Sequence, residues 1–171
     1  MLFRSWVLRF KMVISSYISG GVGDHRIAIG LQSSNTMNHS TARDGIYVHF
    51  GDVGYSPIRL TEVDGVSLEA AATHQTSFSH SVTTETLYVE LIRNSSTSAT
   101  CKIYSNSYST LIESQTITLN ATTVNLRYLV MTVKSSDTVR QMIGTLDDFQ
   151  DRKSTRLNSS HVSESRMPSS A

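Results

Sequence analysis

TLYVELIRNSSTSATCKIYSNSYSTLIESQ, residues 86–115, carries a strand pattern along most of its length. Leu87, Val89 and Leu91 alternate with Tyr88, Glu90 and Ile92, the period of two that commits one face of a strand to a core. The polar run Asn94 to Ser98 turns the chain back. Ala99, Cys101 and Ile103 then alternate with Thr100, Lys102 and Tyr104 on a return strand, and Ser105 to Thr110 reads as a second turn before Leu111 and Ile112. A meander of this kind cannot stand alone in water; it needs a second layer to cover its apolar face.

The rest of the chain supplies that layer. Trp6, Leu8, Phe10, Met12 and Ile14 alternate with Val7, Arg9, Lys11 and Val13, so WVLRFKMVI is a strand and not a helix. Ile27, Ile29 and Leu31 point inward from the next strand, after the Gly-rich loop at residues 19–24. Gly45 to Phe50 puts Ile46, Val48 and Phe50 inside and Tyr47 and His49 outside. Gly51 to Gly54 turns the chain into Ile58 to Val63, and Asp64-Gly65 is predicted to be a two-residue hairpin turn. Glu69 to Thr76 has room for one helical turn, followed by short strands at Phe78 to Val82, Thr116 to Leu119, Leu126 to Val133 and Ile143 to Phe149. About eleven short strands with no long helix predict an all-β, two-sheet antiparallel sandwich of the jelly-roll kind.

Composition narrows the classes. The 171 residues suit one domain, and a trimmed core of about 145 could bury roughly two-thirds of its unfolded surface. A net charge of +1 offers no basic footprint for nucleic acid. Only 17% of residues are charged, while Ser and Thr make up about a quarter of the chain, as in extracellular sandwiches. No apolar run reaches the ~18 residues of a helical membrane span. The single cysteine, Cys101, excludes an internal disulfide and falls on an apolar strand face, where a small buried hydrophobe is expected.

YVELIRNSSTSATCKIYSNSYSTLIES, then NLRYLVMTV, then GTLDDFQ resembles the concanavalin A-like lectin/glucanase sandwiches, nearest to laminin-G-like modules of environmental archaeal, phage and viral-associated proteins. The resemblance covers most of Trp6 to Gln150. It implies a jelly roll, but that superfold hosts lectins, glycosidases and adhesion modules alike. The domain is therefore expected over residues 6–150. Residues 1–5 and the Ser- and Arg-rich residues 151–171 resemble translated sequencing-adapter sequence. They are expected to be non-native additions, the second disordered, with a parent chain that carries other domains.

The chemistry-bearing residues give no enzyme. The glucanase branch supplies its carboxylates from one strand as Glu-x-Asp-x-x-Glu, and glycosidases need two of them about 5 to 9.5 Å apart. Glu62-Val63-Asp64 starts that way, but Ser67 stands where the second Glu belongs, Glu69 comes two residues late, and a solvated hairpin tip is the plainer reading. Adjacent Asp147 and Asp148 cannot share one strand face. Asp24, Asp44, Asp52 and Asp64 sit in predicted loops, and nothing in their spacing gathers the 6–8 oxygens that Ca²⁺ requires, so no cofactor is expected, with Ca²⁺ as the alternative. His25, His39, His49, His74 and His80 lack zinc spacing and read mostly as exposed loop residues. No nucleophile elbow appears.

A binding face remains. Tyr47, His49 and Arg59 are the outward residues of strands that can neighbour one another, with Tyr55 in the adjoining loop; aromatic plates and planar donors suit a sugar. The same residues would also suit an ordinary wet sheet face. The expected function is a non-catalytic carbohydrate-binding or adhesion module on an extracellular or virion surface, meeting a glycan or cell-surface ligand. A structural spacer without ligand is the first alternative and a glycoside hydrolase-related domain the second.

Overall fold

The computed structural model describes residues 5–18, 25–35, 42–51, 57–66, 73–123, 125–135 and 141–153. Their regular structure is entirely β. In chain order the strands are β1 (Trp6–Ile18), β2 (His25–Gln32), β3 (Arg43–Phe50), β4 (Pro57–Val66), β5 (His74–Ser81), β6 (Glu85–Ser95), β7 (Ser98–Tyr104), β8 (Leu111–Thr118), β9 (Tyr128–Ser135) and β10 (Gln141–Lys153). One five-stranded sheet runs β10-β1-β6-β7-β8 and the other β5-β4-β3-β2-β9. All pairings are antiparallel. The protein is a two-sheet antiparallel β-sandwich, and its topology is compatible with a jelly roll.

The alternation in the sequence explains the core. Leu8, Phe10, Met12 and Ile14 of β1 meet Leu87, Val89 and Leu91 of β6 and Ala99, Cys101 and Ile103 of β7 on one inner face. Ile29, Ile46, Val48, Phe50, Ile58 and Leu60 cover it from the other sheet. Phe10 and Phe50 make an edge-to-face contact across the interior, with centroids 6.4 Å apart. Several predicted strands are longer than their apolar runs, because polar residues at the ends continue the backbone ladder. Leu111 to Thr118 is one strand rather than two, so the described residues form ten strands where about eleven were counted.

Two predictions fail locally. Asp64-Gly65 is not a hairpin: β4 continues through it to Val66, with Gly65 at φ +64° beside a register shift against β3. That positive φ is the bulge geometry that glycine adopts without steric cost. The histidines are mostly strand residues, since His25 lies in β2, His49 in β3, and His74 and His80 in β5. His39 and residues 69–72 of the possible helical turn lie outside the described residues, while His74 to Thr76 are strand.

The two open ends of the sandwich differ. At β5 and β8 the sheets are tied by polar groups: the Ser79 and His80 amides donate to Glu113, and Thr76 Oγ1 donates to Gln115 Oε1. At β9 and β10 the inner faces end in apolar residues, and Leu129, Met131, Val133 and Phe149 are exposed.

Candidate functional site

Three of the four residues expected to form the binding face, Tyr47, His49 and Arg59, lie beside one another. Tyr47 and His49 point away from the main core on β3, with their rings 6.1 Å apart in an edge-to-face contact. Arg59 of β4 lies directly opposite His49. Their exposure is what differs. Tyr47 and His49 are buried, and Tyr47 joins Ala28, Val63 and Val66 in a second small apolar cluster. The Tyr47 hydroxyl donates to Gln32 Oε1 at 2.8 Å, which also accepts from Arg43 Nη1 at 3.2 Å. Burial pushes the Tyr47 pKa upward against the opposing pull of Arg43, so the phenol stays a donor. Gly45 leaves the space this ring needs, for a Cβ there would collide with the Tyr47 ring and its hydroxyl oxygen. Period-two alternation told which way Tyr47 points but not that this face is closed from solvent. Tyr55 lies outside the described residues.

Glu62 and Asp64 are not a solvated tip either. Glu62 continues the inward period of Ile58 and Leu60 and is fully buried. Its Oε1 accepts from the Asn120 amide (2.9 Å) and Thr123 Oγ1 (2.5 Å), while Oε2 meets His74 Nδ1 at 2.6 Å. Arg93, at the end of the inner row of β6, donates to the Thr123 carbonyl. Burial lowers the Arg93 pKa, and the nearby Glu62 charge opposes that shift. Asp64 Oδ2 accepts from Asn120 Nδ2 and Thr122 Oγ1. The two carboxylates thus converge on one loop, Asn120 to Thr123, and are spent holding it. Asp44 is likewise engaged, by the Gly65 amide. Asp24 and Asp52 lie outside the described residues, among which no three His, Cys, Asp or Glu side chains gather as a metal site would need.

A different face carries the aromatic and planar groups in accessible form. On the outer side of the β1-containing sheet, Arg9, Glu90 and Lys102 lie in one cross-strand row, and Lys11, Tyr88 and Tyr104 in the next. Arg9 grips Glu90 Oε1 through Nε (2.7 Å) and Nη2 (2.5 Å). Tyr104 donates to Glu90 Oε2 at 3.3 Å, and Lys102 Nζ stands 3.8 Å from the same oxygen. Tyr108, from the β7–β8 turn, reaches back over this surface. The Arg9 guanidinium lies 4.9 Å from its ring centre, with Tyr88 at 5.4 Å and Tyr104 at 5.8 Å, both edge-to-face.

The turn that places Tyr108 is itself unusual. Ser105 N donates to the Thr110 carbonyl, and Ser109 donates to Asn106 through both its amide and its hydroxyl. Ser107 and Tyr108 take φ of 37° and 62°, a region that L side chains seldom occupy and that clusters at working sites. Desolvation pushes the Tyr108 hydroxyl up to about 12, with Arg9 opposing, and raises Tyr104 as well, with the Glu90 charge adding to it. Both hydroxyls are therefore protonated donors at neutral pH. All three tyrosines and Arg9 are half-buried, and the Tyr108 hydroxyl itself is buried. The sequence held the signal in Tyr88, Tyr104 and Arg9 as outward alternates. Tyr108 gave none, because only the turn geometry brings it over β1.

No protein-family model matches the chain, and no curated protein matches it. Fold and face together define the class: a two-sheet antiparallel β-sandwich carrying a tyrosine–arginine cluster on one sheet's outer surface.

Proposed function

We propose that the protein is a non-catalytic carbohydrate-binding or adhesion module of the concanavalin A-like, laminin-G-like kind, working on an extracellular or virion surface within a longer parent protein. The observation that carries this reading is the Tyr88, Tyr104 and Tyr108 cluster around the Arg9–Glu90 pair. Aromatic faces stack on the apolar faces of sugar rings, and a guanidinium and a tyrosine hydroxyl meet sugar hydroxyls, while the buried Glu90 carboxylate holds Arg9 and Tyr104 in place. The binding face of this proposal moves from Tyr47, His49, Tyr55 and Arg59 to the outer surface of β1, β6 and β7, since Tyr47 and His49 are buried. Glu62 and Asp64 are committed to structural partners, which favours binding over hydrolysis.

The test is a glycan-array screen of the full chain beside Tyr104→Ala, with Thr116→Ala, an exposed change on β8, as control. Selective binding that survives Thr116→Ala and drops at least roughly tenfold in Tyr104→Ala is expected, a loss of about 1.4 kcal/mol. Binding that persists unchanged in Tyr104→Ala would move the face elsewhere. No binding by folded protein would leave the alternative of a structural or assembly sandwich, which the exposed apolar row of β9 favours.

A further inference from the structure

We infer that the β9 edge is a self-association surface on which a second copy of this chain pairs antiparallel, β9 against β9. This deepens the assembly reading and rests on it; glycan binding uses the other sheet and is independent.

The edge strand β9, YLVMTVKS, pairs with β2 alone among the described strands. It is well anchored, because Val130 and Thr132 are buried on one face. On its other face Leu129, Met131 and Val133 are 46%, 49% and 56% exposed, continuing the inner row of Ile27, Ile29 and Leu31 past the end of the core. Sheets ordinarily guard such an edge with charges, proline or a bulge. The other three edge strands carry such guards. Glu113 sits in β8, β5 has a register shift against β4, and β10 holds Asp147 and Asp148 beside a shift against β1. β9 runs in unbroken register from Ser135 to Tyr128, with Lys134 near its end as its one charge. An apolar edge strand with no bulge and a single terminal charge among the described residues is a template for another strand.

The residue order fits a copy of itself. A two-fold axis through Met131 sets Leu129 against the partner's Val133, Val130 against the partner's Thr132, and Met131 against itself. Like residues share faces, and no like charges oppose, since Lys134 falls opposite Tyr128. The apolar row of one sheet becomes continuous with that of the next, giving a closed isologous dimer. One eight-residue edge is smaller than the ~800 Å² per partner of a standard interface, so the dimer is weak and concentration-dependent.

Sedimentation of the full chain over a wide concentration range is expected to show a monomer–dimer equilibrium. Met131→Glu, which opposes two carboxylates on the axis, should raise the dissociation constant at least roughly tenfold while leaving the circular dichroism and melting temperature of the monomer unchanged. Met131→Cys should crosslink with itself under mild oxidation, because directly opposed Cβ atoms lie about 4.5–5.5 Å apart. Val133→Cys should not, its copies standing four residues apart, roughly 14 Å along the strands. A wild type that stays monomeric throughout would overturn both the assembly reading and the pairing. Self-association unaltered by Met131→Glu would keep assembly and overturn this surface, and crosslinking through Val133→Cys but not Met131→Cys would overturn the pairing centred on Met131.

Discussion

Removing the Glu62 carboxylate would leave the Asn120 amide, the Thr123 hydroxyl and His74 Nδ1 without their acceptor, and Arg93 without its nearby opposite charge. A buried group stripped of its partner costs the fold its full desolvation penalty, not merely the net worth of a hydrogen bond. Glu62→Ala is therefore expected to lower unfolding free energy by about 3 kcal/mol in urea denaturation, and Glu62→Gln by less, since the amide keeps one acceptor. A loss below about 1 kcal/mol for Glu62→Ala would mean that the Asn120–Thr123 loop is held by other contacts. Tyr47 teaches a neighbouring lesson. With its ring enclosed beside Gly45 and its hydroxyl on Gln32, Tyr47→Ala would perturb the fold itself, so a loss of binding in that variant would say nothing about a ligand.

At the scale of strands, Glu113 joins β8 to β5 and so ties the two sheets at one edge. Partial burial alone would raise its pKa, but the Ser79 and His80 amides and the Gln115 side chain outweigh that and hold it below the ordinary value of 4.5. A carboxylate whose pKa is depressed on folding stabilises the protein above its unfolded pKa, and that contribution fades as pH falls through the folded value. Glu113→Gln is thus expected to cost about 1 kcal/mol at neutral pH. It should also flatten the fall of melting temperature with acid below the ordinary carboxylate range. An acid limb as steep as the wild type's would show that other carboxylates govern it.

Across the whole molecule, both sheets contribute to one core, and Cys101 sits fully inside it on β7. Burial, with the Glu90 charge adding to it, pushes the thiol pKa upward, so the reactive thiolate is suppressed as well as shielded. Ellman's reagent is expected to label Cys101 no faster than the sandwich unfolds globally. Labelling that outpaces global unfolding under native conditions would reveal local opening between the sheets.

Alternation of apolar and polar residues by itself determined the fold class, the inward rows of β1, β3, β6 and β7, and the burial of Cys101, because strand period is a local property. It placed Tyr47 and His49 on the correct side of β3, but read Glu62 as part of a solvated hairpin tip. Only the tertiary structure decided what lies over each face. Tyr47 became a core residue, Glu62 a buried tie, and Asp64-Gly65 a bulge within a continuous strand, since burial and bulging depend on segments distant in sequence. The same holds for the Tyr88–Tyr104–Tyr108 cluster and the open β9 edge: strand order across the sheets, which no local pattern encodes, brings Arg9 beside Glu90 and leaves Met131 uncovered.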